Sequence, residues 1–199
     1  VLNGDIFDFR WNVTDDVQSA VDRAITDIVN LLEKMPNLNV HYVIGNHDNH
    51  HELVEALRKT AVHYARFSLY DYYLRLGSHF FLHGDCCNTR TVHHLLVNRR
   101  KRWAEKKRRP YYLSTLYSMV DRLGVSTIFN TIFFPRQRTA ARTLYYLQSL
   151  PEGFPEGVRD IYLGHSHLPF QNFEYKGYRF HNSGSAVSPL GFKPVRFEL

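Results

Sequence analysis

The sequence predicts a strand-rich α/β domain, and three observations predict it. First, four apolar, strand-like runs each stop at a short polar string: Gly4-Asp5-Ile6-Phe7-Asp8, Gly45-Asn46-His47-Asp48, His83-Gly84-Asp85 and Gly164-His165-Ser166-His167. Second, Val17, Val21, Ile25, Ile28 and Leu32 recur every three or four residues, one apolar stripe of a helix over 15–34. Third, residues 88–150, between the third and fourth strings, are helical in composition.

Each element follows in order. Val1 to Asn3 reads as the tail of a strand whose beginning lies upstream. Thr14 or Asp15 is placed to cap the first helix, and Pro36 stops it. Asn39 to Ile44 is a buried strand delivering the second string, and His50 to Lys59 a short helix. Phe67 to Leu76 and Ser78 to Leu82 read as two strands joined at Gly77, the second delivering His83. Thr91 to Lys107 is a very basic helix broken by Pro110. Tyr111 to Phe134 is long and amphipathic, with Leu113, Leu116, Tyr117, Val120 and Leu123 at helical spacing, and Arg136 to Leu150 is a third helical stretch. A Pro/Gly-rich loop over 151–157 leads to a strand at Arg159 to Leu163. Glu174 to His181 turns at Lys176-Gly177, a hairpin signal. Phe192 to Glu198 is an expected edge strand, since Pro194 demotes it from the centre of a sheet.

At 199 residues the chain fits one domain with a sizeable core and an inserted subdomain over 88–150. No apolar stretch reaches the roughly 20 residues that span a bilayer, and no signal peptide is visible. The two cysteines, Cys86 and Cys87, are adjacent, which argues against a disulfide framework and for a reducing, cytoplasmic compartment. They read as small residues packed under a loop. The net charge of +6 is uneven: residues 88–150 hold 13 Lys and Arg against 2 acids, while the remainder is mildly acidic. Such a segment suggests a polyanionic partner, either nucleic acid, an anionic membrane surface or a phosphate-rich ligand.

The four strings offer oxygen and nitrogen donors, no thiolates, and glycines that let the backbone turn sharply. That chemistry suits two hard-to-borderline metal ions, and paired metals clamp and cleave phosphate esters. In order and content the strings resemble the calcineurin-like metallophosphoesterases, whose pattern runs Asp-x-His, Gly-Asp-x-x-Asp, Gly-Asn-His-Asp/Glu, a single His, then Gly-His-x-His. The last four elements are present over Asp5 to His167, and the Asp-x-His pair is expected upstream.

The resemblance implies a two-sheet β-sandwich flanked by helices, with its N-terminal strand missing and a helical insertion. It implies two divalent metals, Mn²⁺ preferred with Fe or Zn²⁺ also suited. Asp5 would bridge the two, with Asn46, His83 and His165 on one metal. His167 would face the second site, incomplete in this chain. An extended Gly-His-x-His would put His165 and His167 on one face. A metal-bridging water would be the nucleophile, with His47 the catalytic acid or transition-state stabiliser, its far ring nitrogen oriented by Asp48 or another carboxylate. Asp8, Asp48 and Asp85 would support the ligands, and the turn His181-Asn182-Ser183-Gly184-Ser185 would pack under the metal loops.

A basic, aromatic lid after His-Gly-Asp looks most like the UDP-2,3-diacylglucosamine pyrophosphatase branch, which acts in lipid A synthesis at the membrane surface. That branch commonly carries Arg where this chain has His47. On this reading Arg99, Arg100 and Arg102 meet the diphosphate and anionic head groups, and the protein sits peripherally at the inner membrane face. The alternatives are a general phosphodiesterase or phosphomonoesterase on nucleotides, and a nucleic-acid or membrane-binding module with a degenerate site.

Overall fold

The computed structural model describes residues 1–9, 16–105, 131–154, 156–186 and 191–198. It is a mixed α/β structure with two sheets. The first holds β1 (Leu2–Asn3), β2 (Val40–Val43) and β3 (Phe67–Tyr70), all parallel. The second runs β4-β5-β6-β8-β7, from β4 (Tyr73–Leu76), β5 (His79–Leu82), β6 (Asp160–Leu163), β7 (Phe170–Tyr175) and β8 (Tyr178–Asn182). Its central pairs β5–β6 and β6–β8 are parallel, and the flanking pairs are antiparallel.

Period-two alternation divides the side chains among three clusters. Val40 and Tyr42 of β2 pack with helices α1 (Val17–Lys34) and α2 (His51–His63). Val43 points the other way, to Leu74, Phe81 and Tyr162 of the second sheet. Phe80, Leu82, Ile161, Leu163 and Phe180 turn to the far face, where Leu96 of α3 (His93–Ala104) and Ala140, Leu144 and Leu147 of α4 (Arg136–Leu147) cover them. The layers are therefore helix, sheet, sheet, helix. Among the described residues no helix is long and apolar enough to cross a membrane.

The expected elements hold in outline, with five corrections. Asp16 caps α1, accepting from the backbone N–H of Gln18 and Ser19 at 3.1 and 3.0 Å, because its carboxylate stands one residue before the first free amides. The two expected caps, Thr14 and Asp15, lie outside the described residues. α2 runs four residues past Lys59, since Thr60 is buried on the same face as Leu53 and Leu57. The run 67–76 is two strands in different sheets. The bend between them is held by Arg100, whose Nη1 donates to Ile44 O at 2.9 Å and Asp71 O at 2.7 Å. Residues 192–198 form no strand beyond one bridge, Gly184 to Phe192; Val195 and Phe197 instead pack on the cluster between the sheets. Finally α4, expected as part of the lid, supplies core residues to the body. The expected helix over 111–134 lies almost wholly outside the described residues.

The hairpin at Lys176-Gly177 forms as read. Both turn residues have positive φ, 50° and 81°, the twist that two-residue hairpins require.

Candidate metal centre

The parallel strands β1, β2, β5 and β6 end on one side of the molecule, and each releases one polar string there. That is where open α/β sheets present their ligand-binding loops. Asn3 ties the two sheets together at this edge: its Nδ2 donates to Leu82 O at 3.0 Å and Tyr162 O at 3.2 Å. The loops approach closely. A Cβ on Gly4 would lie 2.4 Å from His83 Nδ1, and one on Gly45 would lie 2.1 Å from Asp5 Oδ1, so both positions need glycine.

His83 is the centre of the arrangement and is almost fully buried. Its Nε2 lies 3.1 Å from Asp5 Oδ2, 3.0 Å from Asn46 Oδ1 and 3.1 Å from His165 Nδ1. Asp5, His83 and His165 each offer a ligand atom, all within 4.8 Å of one another. The hydrogens of both rings are used elsewhere. His83 Nδ1–H donates to Asn3 O at 3.2 Å, and His165 Nε2–H to Asn88 Oδ1 at 2.9 Å. In the neutral rings the near nitrogens are lone pairs, facing a carboxylate oxygen and an amide oxygen. With both rings neutral, four electron-rich atoms meet here, an arrangement that a cation satisfies in place of a proton. The carbonyl–imidazole pairs also fix ring orientation, as outer partners of metal-bound histidines do. The residues present therefore fit a divalent metal held by two nitrogens and two oxygens.

Charge follows the same geometry. Burial raises the Asp5 carboxyl, but the adjacent His83 outweighs it and holds Asp5 well below the usual carboxylate range. Burial lowers His83, and Asp5's charge and hydrogen bond return it above its ordinary value, favouring an Nε2 proton that a bound cation would displace. Burial and the neighbouring His83 push His165 down to about 3, which keeps that ring neutral.

The backbone is strained here. Asp5, His165 and His167 have φ of 53°, 57° and 58°, a region that costs a non-glycine residue roughly 1–3 kcal/mol. This corrects the expectation of an extended Gly-His-x-His. Ser166 is buried between the two histidines, and Asn182 Nδ2 holds the turn through Gly164 O at 2.7 Å and Ser166 Oγ at 3.0 Å. The turn at 181–185 thus packs under the loop as read. His167 lines the crevice with Asp5 but stands outside the three-residue group.

His47 is anchored beside the group. Its backbone N–H donates to Asp5 Oδ1 at 2.8 Å, and its ring Nδ1 lies 3.0 Å from Asp8 Oδ1. Asp8 is therefore the orienting carboxylate. Burial lowers His47, but the Asp8 hydrogen bond and the charges of Asp5 and Asp8 lift it above its ordinary value. Asp48 is a clamp instead: its carboxylate accepts from Phe7, Ile6 and Gly45 N–H at 2.9, 3.3 and 3.2 Å, joining the first two strings. Burial and the nearby Asp5 charge push Asp48 up to about 6.

Asp85 pairs with Arg100 at 2.7 Å, both side chains at most 5% exposed. Arg100 is thus buried in the body, away from solvent. Arg99 donates to Asp85 O at 2.7 Å and Thr89 Oγ1 at 3.2 Å, holding the turn after His83. Only Arg102 of the three faces solvent, its Nε bonded to Asn98 O within α3. Cys86 and Cys87 are free and buried.

Four contributors had no signature in the sequence: Asn3, Asn88, Trp103 and Phe134. The Trp103 ring lies 6.0 Å from His47, and the Phe134 ring 6.0 Å from His165. The two described ends of the insertion therefore flank the centre. Comparison with protein-family models, curated proteins and solved structures finds no match for this chain.

Proposed function

We propose that the chain is a metal-dependent phosphoester hydrolase of the calcineurin-like type, built on that family's two-sheet sandwich. The single observation that carries the reading is the convergence of Asp5, Asn46, His83 and His165 at the ends of β1, β2, β5 and β6, with both imidazoles offering lone pairs inward. These residues would hold divalent cations, which when bound would neutralise charge on a phosphate and lower the pKa of water towards neutrality.

The chain's own residues supply the rest. Asp5 and Asn46 present oxygens, and Asp5 also fixes His47 through the backbone N–H. His47, held by Asp8, carries a proton at its free ring nitrogen for the departing oxygen of the ester. Trp103 and Phe134 border the centre and exclude water from that side. His167 and Asp5, which line one crevice, would hold a second ion together with an Asp-x-His pair.

For substrate, the aromatic ends of the insertion and its +11 charge favour an acylated, pyrophosphate-linked sugar nucleotide presented from an anionic membrane surface. The burial of Arg100 favours the second reading, a phosphodiesterase or phosphomonoesterase on soluble nucleotides. Metal analysis of the purified protein, with turnover of a chromogenic phosphodiester, tests the common core. Bound Mn, Fe or Zn and chelator-sensitive turnover are expected; a metal-free, inactive protein after Mn²⁺ addition overturns it. Relative rates on acylated sugar nucleotides and soluble nucleotides separate the two substrates.

A further inference from the structure

A second charged feature lies away from the metal centre, between α4 and the β7–β8 hairpin. It is an open depression of about 390 Å³ bordered by Arg90, Arg138, Arg142 and Lys176, with the rings of Tyr145 and Tyr175 in its wall. Among the described residues, no acidic side chain lines it. Among the described residues, none of the four cations forms an ion pair.

What holds these cations in place leaves their charge uncompensated. Arg142 Nη1 donates to two neutral carbonyls, Cys87 O at 2.7 Å and Asn88 O at 2.8 Å. Its remaining N–H groups are left for another acceptor. The Arg90 guanidinium sits 4.0 Å from the centre of the Tyr145 ring, again a neutral partner. Arg138 stands one turn before Arg142 on the same face of α4. Lys176 stands at the hairpin turn, its Nζ 5.8 Å from the centre of the Tyr175 ring, a neutral partner. Four like charges gathered over one concave surface repel each other, and the fold keeps two of them pre-positioned. Planar guanidinium forks so arranged match phosphate oxygens in bidentate geometry.

We propose that this depression is a binding subsite for the phosphate group of a soluble organic phosphate, separate from the metal centre. A volume of this size admits a phosphate and a small attached group, with Tyr145 and Tyr175 forming its apolar wall. Binding there needs no metal, so it stands or falls independently of the hydrolase reading.

The test is calorimetric titration of the full chain with inorganic pyrophosphate. It is run with metal present, with chelator, and in the His83→Ala variant. Saturable binding is expected in all three. Arg138→Gln and Lys176→Gln, whose side chains make no ion pair among the described residues, should each weaken it roughly threefold to tenfold, and more at low salt. A nucleoside diphosphate should displace the probe. Absence of saturable binding, loss of binding on chelation, or unchanged affinity in both variants would overturn the proposal. So would binding to phosphatidylglycerol vesicles with no binding of soluble phosphates.

Discussion

Among the described histidine–carboxylate pairs, two stand at nearly the same distance in different settings, and one of them belongs to the candidate metal centre. Asp5 and His83 are 3.1 Å apart; Asp160 and His181 are 3.0 Å apart. At the second pair every group is satisfied. His181 Nε2–H donates to Asp160 Oδ1, His181 Nδ1 accepts from Asn172 N–H at 3.4 Å, and Arg179 covers Asp160 Oδ2 at 2.7 Å. Asp160 and His181 lie in regular strands. At the first pair the hydrogen of His83 is spent on Asn3, and its other nitrogen faces Asp5, Asn46 and His165 together. Asp5 also holds a left-handed backbone. A short distance therefore does not identify a site. What distinguishes one is where each hydrogen goes and whether the backbone is strained to bring the lone pairs together.

The largest break in this comparison comes from His83→Ala. It should abolish metal uptake and turnover, whereas His181→Ala should keep both. Metal content by mass spectrometry reads the difference, with melting curves in chelator showing that each variant is folded. Metal uptake by the His83 variant at the wild-type level would remove the assignment.

His47→Gln sharpens the roles within the centre. Metal should stay bound while turnover falls about 10²–10⁴-fold, the range for a lost general acid. The deficit should shrink for esters whose leaving group needs no proton. An equal deficit across leaving groups would make His47 an electrostatic support.

Asn88→Ala tests the outer partner of His165. A loss of roughly 10–100-fold in metal affinity is expected, with a smaller change in melting temperature of the metal-free protein. Unchanged affinity would mean that packing alone fixes the ring.

The smallest effect belongs to the satisfied pair. Hydrogen bonds and charge from Arg179 and His181 outweigh burial and lower the Asp160 carboxyl below its ordinary value. A depressed carboxyl contributes stability above its unfolded pKa and loses it as pH falls through the folded one. Wild type should therefore melt above Asp160→Asn at neutral pH, and the gap should close below about pH 4, near the unfolded carboxylate pKa. Burial also lowers His181, so its neutral form is favoured and the same acid direction follows. A gap that widened on acidification would contradict both.

Much of this was readable in the chain. Apolar runs ending in glycine-containing polar strings marked strand ends, because parallel strands buried on both faces must stop where polar residues begin. The stripe from Val17 to Leu32 marked α1, and Lys176-Gly177 marked the hairpin. The four strings also named the converging donors, Asp5, Asn46, His83 and His165. Local patterns determine these features, since they depend on residues a few positions apart.

Tertiary structure alone decided the rest. That residues 67–76 change sheets depends on Arg100 binding carbonyls from two distant segments. That Arg100 is interior and Arg102 exposed follows from which side of α3 meets the body, and a uniformly basic run carries no such periodic signal. That His83 offers a lone pair depends on Asn3, 80 residues away in sequence, and that His165 does depends on Asn88, 77 away. Hydrogen direction is a property of the neighbour across space. A sequence can therefore name the donors of a site, but only the packed fold decides which way their hydrogens point.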